Sequence, residues 1–141
     1  MDTGVDDSQW AQHFFPGMRP LTSRVPFYSA TDNHEQNASN YYEYVSVPNP
    51  KYYYDFRYGD ALFFMLDTNR NVGSDSEQYE WLEENLAKSD AKWKFASHHH
   101  PPFSSDEDDS GNLWKQNKSA GGDLRARQLS ELYKRYGFDI V

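Results

Sequence analysis

An α/β fold is predicted for this 141-residue chain by three observations. Short apolar, aromatic-rich runs alternate with stretches of helical periodicity. The two most apolar runs, residues 61–67 and 92–97, stand on either side of a helical stretch, the order from which βαβ units are built. The third is the aromatic content, 11 Tyr, 9 Phe and 4 Trp, which at single-domain length supplies enough apolar surface for a core.

The elements follow in chain order. Residues 8–15 predict a short helix with Trp10 and Phe14 at i, i+4, ending before Pro16-Gly17. Arg24-Val25-Pro26-Phe27-Tyr28-Ser29 predicts a strand leading towards Asn33. Residues 41–47 and 51–58 are aromatic-rich β candidates separated by Pro48-Asn49-Pro50, and Gly59-Asp60 turns the second into the buried run 61–67, a β-hairpin. Ser74-Asp75-Ser76-Glu77 fits a capping box opening a helix to about Lys88, with Tyr79, Leu82 and Leu86 on one face. Strand 92–97 follows. A helix over 122–136 aligns Leu129, Leu132, Tyr133 and Tyr136 at i, i+3, i+4, i+7 before an apolar end strand. Between them, residues 104–122 lose all periodicity and carry Asp106-Glu107-Asp108-Asp109, the pattern of a solvated loop; its spacing is not that of an EF-hand, and Trp114 is its one candidate for contact with a ligand.

Composition excludes several classes. A net charge of −8 opposes non-specific nucleic-acid binding, which needs basic patches to release counterions. No run approaches the ~20 apolar residues that span a bilayer, and no signal-like apolar segment opens the chain, so no membrane partner is expected. The absence of Cys excludes disulfides, thiolate zinc sites and cysteine nucleophiles. Asn37-Ala38-Ser39 and Asn117-Lys118-Ser119 are formal glycosylation sequons, but compartment and oligomeric state stay open.

Chemistry concentrates in two places, Asn33-His34-Glu35 and His98-His99-His100-Pro101-Pro102, each after a predicted strand and so at the edge where open α/β sheets gather ligands. A neutral amide oxygen and an imidazole both suit a borderline divalent ion. Either segment taken alone also reads as an ordinary polar turn.

In order and along nearly its whole length the chain resembles the calcineurin-like metallophosphoesterases, in their purple-acid-phosphatase-like branch. The matching text is Asp7-Ser8-Gln9-Trp10 with His13-Phe14-Phe15, then Val25 to Tyr28 before Asn33-His34-Glu35, Tyr52 to Asp60, Phe63-Phe64-Met65-Leu66-Asp67-Thr68, Gln78-Tyr79-Glu80-Trp81-Leu82 and His99 to Ser105. The resemblance implies a metallophosphoesterase β-sandwich flanked by helices, of which residues 1–141 form the central part of one domain, without the first and last motif strands. It implies Asn33 and His99 as ligands of one metal and His34 as the catalytic acid or transition-state stabiliser. It implies a phosphate-ester small-molecule substrate and two metal ions, Fe with Zn, Mn or Fe, activating water for in-line attack. His98 then occupies a usually apolar position, and His100 is the variable residue before Pro101. Glu35 either orients His34 or is simply exposed, and Asp67 belongs to a supporting turn rather than the site.

Departures from the family pattern limit the inference. The family's first ligand loops, Asp-x-Gly or Asp-x-His and then Gly-Asp-x-x-Tyr/Asp, are expected before position 1 and its final Gly-His-x-His beyond Val141, and two ligands do not hold two metals. Asp32 replaces a usual Gly, a position where Asp tolerates positive φ better than most residues. The chain alone is therefore expected to be inactive, and a non-catalytic pseudo-phosphatase or interaction module is the competing reading.

Overall fold

The computed structural model describes residues 3–35, 38–104 and 121–141. The readings on residues 105–120, the acidic run and Trp114 among them, and on Asn37 lie outside the described residues.

A three-stranded sheet organises the chain, in the order β1 (Tyr54–Tyr58), β2 (Ala61–Met65), β3 (Trp93–Ser97). Strands β1 and β2 form the predicted hairpin, antiparallel with Tyr58 opposite Ala61, and the link has Gly59 at φ +58, where a side chain would be strained. Strands β2 and β3 are parallel, with Phe64 opposite Ala96 and Met65 opposite Ser97. Their crossover is helix α4 (Glu77–Lys88). Its N-cap is Ser76, whose hydroxyl accepts from the Tyr79 N–H, so the cap falls two residues after the Ser74 that the capping-box pattern selects. Because β2 and β3 run the same way, Asp67-Thr68 and His98-His99-His100 emerge at one edge of the sheet.

Alternation divides the strands between two faces. Leu62, Phe64 and Ala96 face helix α4 and helix α5 (Ser130–Tyr136), forming the core with Leu66, Leu82, Leu129 and Leu132. Each fully buried Leu contributes about 1.5–3 kcal/mol over its exposed state. On the other face Phe56, Phe63 and Phe95 stack as a ladder across the three strands, with centroids 4.9 and 4.8 Å apart. Helix α5 ends at Gly137, in the left-handed conformation at φ +64, and the chain returns beside β3 through one parallel bridge, Phe95 to Ile140. The predicted end strand is thus reduced to a bridge, and the predicted helix 122–136 is a 3-10 turn (Ala126–Leu129) leading into α5.

Three further expectations are corrected. The first helix does not stop at Pro16-Gly17: α1 (Asp7–Gln9), a π-helical stretch (Trp10–Phe14) and α2 (Phe15–Thr22) run on continuously. The wide turn lies just before Pro16, where a missing N–H must be absorbed. Residues 41–47 are not a strand. Helix α3 (Ser39–Tyr44) occupies that place because it buries Tyr41 against Trp10. Residues 24–29 are not a strand: Arg24 and Val25 stay in the turn that closes α2, both donating to the Leu21 carbonyl, and 26–29 have no regular structure. They find no ladder partner among the described residues and are held instead by side chains: Tyr28 stacks on Phe56 at 3.8 Å, and Ser29 donates its N–H to the Tyr54 hydroxyl oxygen while the Tyr54 O–H donates to the Ser29 carbonyl. The described residues contain one three-stranded sheet. No helix among them is long and apolar enough to cross a membrane.

Candidate metal and phosphate site

The Asn33 segment is a tight turn closed by its own carboxylates. The Asp32 side chain accepts from the His34 N–H, and the Glu35 carboxylate accepts from the Asp32 N–H at 2.6 Å. This is Asx-turn chemistry. Asp32 is not among the residues with positive φ, so it serves the turn through its carboxylate and not through a left-handed backbone. Asn33 and His34 are exposed, and Glu35 is half-buried.

The two carboxyls titrate apart. Burial pushes Glu35 up to about 7, helped by the neighbouring Asp32 charge. Burial works on Asp32 in the same direction, but hydrogen bonds from Glu35 and the His34 N–H, with the electrostatic influence of nearby His99 and His34, outweigh it and hold Asp32 below its ordinary value. Asp32 stays anionic.

The three histidines after β3 have three environments. His98 is largely buried, its ring parallel to Tyr133 with centroids 6.1 Å apart and its Nδ1–H donating to the His100 carbonyl at 3.0 Å; burial lowers its pKa. His100 is 4% exposed and hydrogen-bonded through Nδ1 to the Thr68 hydroxyl at 2.9 Å. His99 is exposed and touches His100 edge to face at 4.8 Å. A shallow groove of about 330 Å³ is lined by Phe27, Tyr28, Ser29, Ala30, Asp32, Ser97, His98 and His99. It brings the residue next to Asn33 and the residue assigned as imidazole ligand to one place, although 67 positions separate Asp32 from His99. A larger hollow of about 430 Å³ beside Tyr52, Arg70 and Ser76 is lined by none of Asn33, His34 or His99.

Asp67 is engaged elsewhere. Its carboxylate accepts from the Asn69 backbone and side-chain N–H groups at 3.0 Å, its N–H donates to Gln78, and Arg70 Nε lies 3.2 Å from its other oxygen. Among the described residues no three His, Asp or Glu side chains converge on one point. Asn33 and His99 are chemically suited to a borderline cation, an exposed amide oxygen and an exposed imidazole, but they are a partial donor set. The sequence reading placed Thr68 with Asp67 in a supporting turn, and the structure shows the group it supports, the His100 backbone and ring; the contributor it missed is Gly4, which packs on the turn. Gly4 has no motif signal, because it acts through sterics and a backbone hydrogen bond to a residue 30 positions away.

Residues 2–141 match the Calcineurin-like phosphoesterase family model. Among curated proteins the chain is similar to purple acid phosphatase 15 (35% identical over 140 residues, 88% of the chain and 25% of the relative) and purple acid phosphatase 23 (31% over 140 residues, 88% and 29%), both of Arabidopsis thaliana. It is also similar to that plant's probable inactive purple acid phosphatase 27, 26% identical over 158 residues, 95% of the chain and 25% of the relative. Its fold matches a purple acid phosphatase isolated from yellow lupin (Lupinus luteus) seeds with a TM-score of 0.76 at 22% identity, covering 94% of the chain and 26% of that structure. The chain spans roughly a quarter of the length of these relatives.

Proposed function

This chain belongs to the calcineurin-like phosphoesterase family, whose activity is phosphate-ester hydrolysis at a dinuclear metal centre, and on that premise we propose that it forms the central part of a domain hydrolysing phosphate monoesters. The observation supporting it is the shared groove: Asp32, within the Asn33-His34 turn, and His99 both line it. Asn33 and His99 would be donors to one metal, Fe, Zn or Mn being the candidates, with the remaining donors supplied by further segments of the full natural chain. When bound, the metal pair lowers the pKa of water and neutralises phosphoryl charge. The residues of this chain do the rest. The anionic Asp32 favours cation retention next to His99. The His34 imidazole is placed to hold a proton for the departing alkoxide or to stabilise charge on the phosphoryl oxygens. Exposure of His34 leaves it within reach of a small substrate.

A second reading, a pseudo-phosphatase, is favoured by the two similar relatives named probable inactive and by the carboxylate at position 32. One assay separates them. The full natural chain is tested on p-nitrophenyl phosphate with Mn²⁺, Zn²⁺ or Fe, beside its His34→Ala variant. Metal-dependent turnover that the variant loses supports the phosphatase; no turnover with any metal establishes the pseudo-enzyme.

A further inference from the structure

Gly4 lies directly against the Asn33-His34-Glu35 turn. Its N–H donates to the His34 carbonyl oxygen at 2.7 Å, and its own carbonyl accepts from the Trp10 indole Nε1–H at 2.8 Å. Trp10 is 1% exposed and held by the rings of Phe14 and Tyr44 at 5.2 and 5.5 Å. A buried indole N–H that lost its acceptor would be left unsatisfied, so Trp10 fixes the Gly4 peptide. Steric contact is equally tight on the other side. A Cβ at position 4 would stand 2.7 Å from the Glu35 Cα and 2.9 Å from the Glu35 carbonyl oxygen, both backbone atoms that cannot rotate aside. Any residue other than glycine must push the turn away. The glycine is required here for close approach and not for an unusual φ.

We propose that Gly4, anchored by Trp10, is a positioning residue for His34: it fixes the height of the turn above the groove and so the place from which the imidazole meets the phosphate. This rests on the assignment of His34 to the reacting phosphate. Misplacement of a reacting group by about 1 Å can cost on the order of 100-fold in rate. A role in packing alone would instead appear as lost folded protein, with the remaining molecules fully active.

Two variants test it, Gly4→Ala and Trp10→Phe, the second keeping an aromatic ring while deleting the N–H. In the 141-residue chain the backbone amide resonances of Asn33, His34 and Glu35 are expected to move in both variants, and those of Leu82 and Leu129 in the core to stay. In the full natural chain, Gly4→Ala is expected to lower kcat on p-nitrophenyl phosphate roughly 10- to 100-fold, with KM and metal per chain within about twofold of the parent. Trp10→Phe should lower the same parameter by less. Where Gly4→Ala does not fold, Trp10→Phe decides. Turn resonances that stay in place, or a rate that falls only with the folded fraction or with lost metal, would overturn the proposal. A His34→Ala control keeps the two ideas apart: if it leaves the rate unchanged, the assignment of His34 fails whatever Gly4 does, whereas unmoved turn resonances remove the Gly4 proposal whatever His34 does.

Discussion

The Thr68 hydroxyl and the His100 imidazole form a two-way contact between the ends of two parallel strands. The hydroxyl oxygen accepts from the His100 backbone N–H at 3.1 Å and lies 2.9 Å from His100 Nδ1. A hydroxyl carries two lone pairs and one proton, so this one oxygen accepts from the peptide N–H and still bonds the ring nitrogen. Thr68 is 1% exposed and His100 4%, so neither group is solvated in compensation if its partner is lost.

Thr68→Val, which keeps the shape and removes the hydroxyl, is therefore expected to cost about 1–3 kcal/mol by deleting the oxygen that bonds the buried His100 peptide N–H and ring nitrogen. His100→Ala should cost at least as much, since it adds a cavity to the lost bond. Urea denaturation of the two variants against the parent measures this. The family resemblance makes position 100 a freely variable one, and free replacement here would return a change within about 0.5 kcal/mol. Because His99 is the next residue, His100→Ala is also expected to weaken metal retention moderately.

His34 and His99 are predicted to fail differently. In the full natural chain His99→Ala should lower bound metal per chain, because it removes one donor from a site whose affinity depends on the complete set. His34→Ala should leave metal nearly intact and depress turnover by roughly 100- to 10,000-fold, the range for a lost general acid. Elemental analysis beside the rate assay reads both. If His98→Ala, and not His99→Ala, emptied the site, the register of the three histidines would have to move by one.

The 141-residue chain alone is expected to show no metal-dependent hydrolysis of p-nitrophenyl phosphate, because Asn33 and His99 are two donors where a dinuclear centre needs several more. Turnover in the ordinary enzymatic range of about 1–1000 per second by this chain would remove the ligand assignment altogether.

What was legible in the sequence is what period and caps dictate. The hairpin over β1 and β2, the crossover helix with Tyr79, Leu82 and Leu86 buried, and β3 running into the histidines all follow from alternation and helical spacing, because each buries its apolar face within the described residues. Residues 24–29 carry a strand pattern without a neighbour, so tyrosine contacts hold them in place of a ladder. Residues 41–44 went to helix because burying Tyr41 beside Trp10 outweighs the β preference of an aromatic run. At the site, Asn33, His34 and His99 were nameable from short motifs, and their assigned roles rest on family resemblance. What holds them, the Gly4 contact and the Thr68 hydroxyl, lies 30 or more positions away in sequence from the group it touches, where no local pattern reaches.

Glu35 sets the last prediction. Its ordinary value is 4.5, and burial raises it to about 7, while the Asp32 N–H and carboxylate share its hydrogen bonds. A folded-state pKa above the unfolded one favours the protonated form in the fold. The contribution of Glu35 to stability is then fully present below pH 4.5 and is lost as pH rises through about 7. Asp32, held low, stays ionised across that window and accepts the Glu35 proton as a hydrogen bond. A ¹³C titration of the Glu35 side-chain carboxyl in the 141-residue chain is expected to show a midpoint near 7, and unfolding measured between pH 5 and 8 should show stability falling as pH rises. Glu35→Gln keeps an acceptor for the Asp32 N–H and carries no titratable proton, so that part of the slope should disappear. A Glu35 midpoint close to 4.5 would show that the carboxyl is solvated and that the turn is not closed by this hydrogen bond.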